Sequence, residues 1–257
     1  MIAMLAMSAF AGDWPGFDLE APLLAEMRRA DQLHLDGAPK LYHLRYHGWL
    51  MSQSDAHASF GSLISHSEDP FAALTIELRV GDPSYDNTGF GGWQNGFGLE
   101  TLAERTTPHD VQTTAWRLTD VAYKHAVEQY ARKKAQFTAP ADYPGDYQLT
   151  GPQVADLGAA TPVDPAPLQA LAKRLSGAAL TLPADDLARV EQSEAWLGQE
   201  AGFHQVVDTE GTRVRAPSSE CTIRVYGHVR APDGQLVTDS RLWTARQPDQ
   251  LPAADAM

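Results

Sequence analysis

Apolar positions recur at helical spacing over residues 18–35, where Leu23, Leu24, Met27, Ala30 and Leu33 form one stripe and Pro22 is compatible with a first turn. This predicts a short amphipathic helix. The period then changes. Tyr42, Leu44, Tyr46 and Leu50 alternate with His43, Arg45, His47 and Trp49, so one face of a strand meets a core and the other looks to solvent or a partner. Residues 54–65 continue less regularly through Ala56, Ala58, Phe60 and Leu63. Leu74, Ile76, Leu78 and Val80 then alternate with Thr75, Glu77 and Arg79. Three consecutive strands predict an antiparallel meander.

The pattern stops at Gly81. The run GDPSYDNTGFGGWQNGFG (81–98) holds so much Gly, Pro and Asn that turns and an exposed loop are expected. Thr107 and Pro108 then supply an N-cap and first helical residue for a stripe of Val111, Ala115, Leu118, Ala122 and Ala126. Asp110 in the first turn and Arg132, Lys133 and Lys134 in the last suit the macrodipole. At ~1.5 Å per residue this helix is about 45 Å long, enough to cross a whole sheet.

Residues 138–167 are rich in Pro, Ala, Gly and Asp without periodicity and read as a linker or extended crossover between an α+β part at 18–137 and a strand-rich part at 168–246. The second part opens with a brief helix at 168–175. Strands are expected at 187–196, 203–207, 213–216, 222–230 and 236–244, with turns at Thr209-Glu210-Gly211 and at Asp233-Gly234, the latter of type I′. The fold class is therefore α+β: an antiparallel meander covered by a long helix, a linker, then a second strand-rich part.

Composition narrows the function. With 33 acidic and 20 basic residues the net charge is −13, which opposes approach to phosphate backbones and anionic lipid, so direct nucleic-acid binding is disfavoured. One cysteine, Cys221, excludes an internal disulfide and every Cys-based zinc or iron–sulfur spacing; in the strand CTIRVYGHV it reads as a small buried hydrophobe. Residues 1–12, MIAMLAMSAFAG, are uncharged, with Ala9-Phe10-Ala11 in small-x-small form. They read either as a signal-peptide remnant, which implies a periplasmic or exported protein, or as a plain hydrophobic start of a cytoplasmic one. No apolar run is long enough to span a membrane. Residues 247–257, ending LPAADAM, read as the first turn of a helix opening a further C-terminal region.

The candidate chemistry is sparse. His43 and His47 stand four apart, but on a strand and without the glutamate of HExxH. There is no GxSxG elbow, and the loop glycines do not form a phosphate-binding fingerprint. Asp82, Asp86 and Asn87 lack the repeat of a calcium loop, and capping and turn formation account for them equally well. The residues alone predict an α+β scaffold with no self-contained active site.

Three segments in order, VGDPSYDNTGF (80–90), RLTDVAYKHAVEQYARKKA (117–135) and FHQVVDTEGTRVRAPS (203–218), resemble the N-terminal half of the TldD/PmbA family of metallopeptidases, once called modulators of DNA gyrase. The likeness spans roughly residues 20 to 257. It singles out Gly81, Asp82, Asp86 and Asn87 in the loop and Asp208, Glu210 and Gly211 in the turn as family-motif positions.

The resemblance implies an N-terminal α+β domain that helps form a dimer and a closed cleft, in which an unfolded peptide lies as an added strand. It also implies a C-terminal domain carrying zinc on an HExxxH-type helix. No such motif occurs here, so no catalytic residue, metal ligand or cofactor is expected in this chain, and zinc is expected in the missing C-terminal domain or a partner subunit. The chain is then a fragment or a free-standing half, working as a homodimer or in a heterodimer with a TldD/PmbA-like subunit and inactive alone. Tyr42, Tyr46, Trp49 and Trp93 are the candidate peptide contacts, with core packing the other reading of the tyrosines. The alternative in another class is an exported, non-catalytic peptide- or protein-binding protein on the same scaffold.

Overall fold

A computed structural model describes residues 17–91, 96–103, 106–160 and 164–252. The signal-like residues 1–12, Trp93 and the last five residues lie outside them.

Two long hairpins stand side by side. Strands β1 (Leu41–Ser59) and β2 (Ser62–Asp82) form one, and β6 (Val190–Asp208) and β7 (Arg213–Arg230) the other. Four shorter strands complete a single sheet: β3 (Tyr85–Asp86), β4 (Phe97–Thr101), β5 (Val154–Asp156) and β8 (Leu236–Ala245). The order is β3-β2-β1-β6-β7-β5, with β4 beside β2 and β8 beside β7; only β5 runs parallel to its neighbour. Pairing of β1 with β6 from Arg45 opposite Asp208 to Ser59 opposite Glu194 joins the parts before and after the crossover into one sheet.

The three longer helices lie on one face. Leu44, Tyr46, Leu50, Leu74, Ile76, Leu78 and Phe203 pack under α1 (Glu20–Ala30) and α2 (Pro108–Gln136). Ala56, Ala58, Leu197 and Ile223, on the same face further along, pack under α3 (Ala166–Ser176). The expected N-cap forms at α2, and the structure extends it to a capping box: the Thr107 hydroxyl accepts from Asp110 N, and the Asp110 carboxylate accepts from Thr107 N at 2.9 Å. Val111, Ala115, Leu118, Ala122 and Ala126 are buried as their spacing predicts.

Several expectations change. The three meander strands expected before Gly81 are two, of 19 and 21 residues, and the run 81–98, expected as turns and an exposed loop, holds β3 and the start of β4. The ambiguous segment 54–65 is the end of β1, a two-residue turn and the start of β2. Phe60 and Gly61, at φ 45° and 76°, form that turn, and both being left-handed makes it the type I′ connection of this fold. At Asp233-Gly234 only the glycine is left-handed, and Gly234 N bonds to Ala231 O, so that turn is not I′. The five later strands are three: 187–196 and 203–207 merge into β6, whose pattern-breaking glycines sit inside the strand, and 213–216 and 222–230 merge into β7, which runs on through Pro217. At Gly202 a Cβ would come within 1.9 Å of the Leu50 carbonyl oxygen, so the close approach of β1 and β6 demands glycine.

The crossover is tied down. Asp146 N and Tyr147 N donate to Pro83 O, Thr150 N and Gly151 N donate to Glu210, and Leu157 N donates to Arg215 O.

Candidate functional site

Alternation decides what the uncovered face of the sheet carries. With Leu44, Tyr46 and Leu50 turned to the helices, Arg45, His47, Trp49, Gln53, Asp55 and His57 turn the other way, and strand register places residues of β2, β4, β6, β7 and β8 beside them.

At one end the motif loop, the motif turn and the crossover meet. Asp86, fully buried, accepts from the Tyr42 hydroxyl (2.7 Å), Arg79 Nη1 (2.9 Å) and Thr88 N (2.6 Å). Burial alone would raise its pKa, but these donors outweigh it and hold the carboxyl below the usual range. Asn87 bridges Val80 N and Leu78 O, and Asp82 caps the turn through Ser84 N at 2.8 Å.

In the facing turn Asp208 accepts from Arg45 Nη2 (3.0 Å) and Thr212 N (2.9 Å), and Gly211, at φ 95°, donates its N–H to Asp208 O. Glu210 accepts from the Tyr147 hydroxyl (2.6 Å) and from Thr150 N and Gly151 N (2.8 Å each). Beneath Tyr147 lies His43, fully buried, with Nδ1 3.4 Å from Glu210; burial lowers its pKa, so the ring is held neutral. Of the family-motif side chains, Glu210 ties its turn to the crossover, Asp86, Asn87 and Asp208 tie loop and turn to the strand ends, and Asp82 acts within its own turn.

The middle of the face is aromatic. His47 and Trp49 rings lie 3.9 Å apart, and His47 Nε2 is 3.0 Å from His204 Nδ1. Burial, with the neighbouring His204 and Arg45, lowers the His47 pKa to about 4. Beside the pair, Thr75, Glu77, Phe97 and Leu99 line a hollow of about 570 Å³.

The far end is a trough of about 750 Å³, lined by Asp55, His57, Trp196, Gly198, Glu200 and Glu220 among others. Trp196 stacks on His57 at 3.9 Å and remains half exposed.

The candidate peptide contacts separate accordingly. Trp49 lies on the open face. Tyr42 sits at its braced end with its hydroxyl given to Asp86. Tyr46 is a correction: fully buried on the helix side and donating to the Thr119 hydroxyl, it is out of reach of anything on the open face. Trp196, His204 and Tyr147 join the face from strands and crossover distant in sequence; the alternation Glu194, Trp196, Gly198, Glu200 was the one available signal. Among the described residues no three His, Cys, Asp or Glu side chains stand together as a metal would need, and no helix is long and apolar enough to cross a membrane.

No family model and no curated protein matches this sequence. Solved structures do match its fold. TldE from Thermococcus kodakarensis matches at a TM-score of 0.50 with 10% identity, over 88% of this chain and 43% of that one. A "putative modulator of DNA gyrase" from Bacteroides thetaiotaomicron VPI-5482 matches at 0.53 with 11% identity, over 90% and 46%. One of the same description from Thermotoga maritima MSB8 gives 0.48 with 13% identity, over 91% and 44%. The chain spans less than half the length of each of these solved chains. Its α+β fold, an antiparallel sheet with a long helix across one face, resembles the TldD/PmbA structures.

Proposed function

We propose that the chain is the substrate-cleft and dimerisation part of a TldD/PmbA-like zinc metallopeptidase, holding unfolded polypeptide while the metal chemistry comes from a further region or a partner subunit. Its own residues bind and orient; none of the described ones forms a zinc site, so no hydrolytic step is assigned to them.

One observation carries this reading. An antiparallel sheet with one face in water normally shows polar side chains there. Here Phe71, Phe97, Leu99, Trp196 and Leu242, all between 38% and 67% exposed, share the open face, while the register gives them no helix to pack on. Exposed apolar side chains gathered on one face mark a surface that is covered in the working state. An extended polypeptide suits it, because apolar contacts to a flat sheet require little sequence complementarity. The outer edge of β8, free of a partner among the described residues, offers main-chain groups for strand addition.

The test uses a fluorescently labelled, unfolded polypeptide. The purified chain is expected to bind it without cleaving it, with or without zinc, and to support cleavage when a zinc-bearing TldD/PmbA-like subunit is added. Failure to bind sinks the proposal. Binding that never leads to cleavage with any such subunit favours the non-catalytic exported binding protein instead.

A further inference from the structure

The trough at the far end of the open face has a chemistry of its own. Strand register puts Asp69, Gln53, Glu200 and Glu220 side by side on β2, β1, β6 and β7. The next row on this face is Ser67, Asp55, Gly198 and Thr222, and the one beyond is Ser65, His57, Trp196, Arg224 and Leu242. A row rich in carboxylates therefore faces an aromatic wall across a floor whose β6 member is a glycine.

The carboxylate row is costly as it stands. Glu200 and Glu220 are directly opposite on neighbouring strands, a like-charge arrangement that destabilises a sheet. Among the described residues neither has a basic partner. Glu200 accepts from Gln53 Nε2 at 2.8 Å and Glu220 from the Thr222 hydroxyl at 3.2 Å. Asp55, pressed by burial and by Asp69, has its pKa raised, a second sign that negative charge is crowded here. Arg224, the cation lining the trough, stands beside Trp196, two rows from the glutamates.

We propose that this trough docks a lysine or arginine side chain of the polypeptide lying on the open face, its cationic head among Asp55, Glu200 and Glu220 and its aliphatic stem against Trp196. Opposite charge on the occupant relieves the Glu200/Glu220 repulsion, and the indole face packs the aliphatic stem. The occupant is a polypeptide because the row that follows the carboxylates on the same face, Met51, Phe71 and Gly202, carries the exposed Phe71 ring and continues the open face along the same strands. The whole open face would thus select unfolded segments that mix apolar and basic residues.

The inference rests on the open-face reading above, and the experiment separates the two. Two unfolded peptides of identical sequence, one with lysines and one with glutamines at the same positions, are titrated into the purified chain at low salt by fluorescence anisotropy. The lysine peptide is expected to bind about tenfold more tightly, equivalent to about 1.4 kcal/mol, and to lose that advantage in Glu200→Gln/Glu220→Gln. That variant removes the like-charge contact, so it should fold at least as well. The exposed pair Asp36→Asn/Asp185→Asn removes the same charge elsewhere and should leave the preference intact. Equal binding of both peptides overturns the basic preference but leaves the open face standing. Binding of neither overturns both, and an equal loss in the Asp36/Asp185 control reduces the effect to net charge and overturns the docking site.

Discussion

Lys133 and Asp146 form an ion pair 2.5 Å from Nζ to Oδ2, with both side chains closed to solvent. Lys133, in the last turn of α2, also donates to Thr88 O at 2.7 Å and lies 4.7 Å from the centre of the Tyr85 ring. Asp146, on the crossover, accepts in addition from Asp86 N at 2.7 Å and from the Tyr143 hydroxyl. Helix, motif loop and crossover are thus pinned at one point. Lys133→Met leaves a buried carboxylate without its cation, and the expected loss is about 3–5 kcal/mol in urea unfolding. Lys133→Met/Asp146→Asn should lose clearly less than the sum of the single changes, since the pair is coupled. A loss below about 1 kcal/mol in the single variant would mean that the pair is solvated after all.

Gly81 closes the same end of the sheet from below. It sits at φ 111°, and a Cβ there would lie 2.5 Å from Tyr85 O and 2.8 Å from the Tyr130 ring. Gly37, also left-handed at 74°, has nothing within 4 Å of the same position. Gly37→Ala should therefore cost the conformational penalty alone, about 1–2 kcal/mol, and Gly81→Ala at least about 2 kcal/mol more. Thermal unfolding of the two variants side by side reads the difference. Equal losses would contradict the tight packing of the motif loop.

The sequence made the first half of β1 legible because its two faces differ sharply: Leu44, Tyr46 and Leu50 against Arg45, His47 and Trp49. Past Leu50 the contrast fades, since Ser52, Ser54, Ala56 and Ala58 occupy the covered phase, and small or polar residues under a helix carry little periodic signal. A single strand consequently reads as two. Residue type leaves Tyr46 open to either reading, and its phase with Leu44 and Leu50 is the signal that puts it in the core. The open face was harder, because its members meet only through the pairing of β1 with β6. His47 and His204 are 157 residues apart, and no local spacing reports such a contact. Lys133 illustrates a double use: the same residue satisfies the helix dipole, which a sequence can show, and the crossover, which it cannot.

Tyr46 and Trp49 provide a clean separation of packing from binding. Tyr46→Phe removes a buried hydroxyl that donates to Thr119, whose own hydroxyl still donates to Ala115 O. The expected cost is about 0.5–1.5 kcal/mol, with polypeptide binding unchanged. Trp49→Ala, on the open face, should weaken binding several-fold with a smaller effect on unfolding. A reversed pattern, binding lost in Tyr46→Phe and kept in Trp49→Ala, would place the polypeptide elsewhere.

Acidification should loosen the sheet through its histidines. His47 is depressed from 6.5 to about 4 by burial, His204 and Arg45, while burial lowers His43 and His204. A group whose folded pKa lies below its unfolded one binds more protons when unfolded, so its stabilising contribution is complete above the unfolded value and is lost as pH falls. For His47 that window runs from 6.5 down to about 4. Asp86, Asp208 and Glu210, with pKa values held below the ordinary carboxylate range, lose their contribution at lower pH. Asp55, raised by burial and Asp69, acts in the opposite sense and offsets part of the slope. The urea midpoint at fixed ionic strength should therefore be flat above the histidine range and fall steadily through it. His47→Gln should flatten the fall, because the neutral amide has no proton to gain. A midpoint that stays level on acidification through this range would show that the His47–His204 pair is open to water and titrates as a free imidazole does.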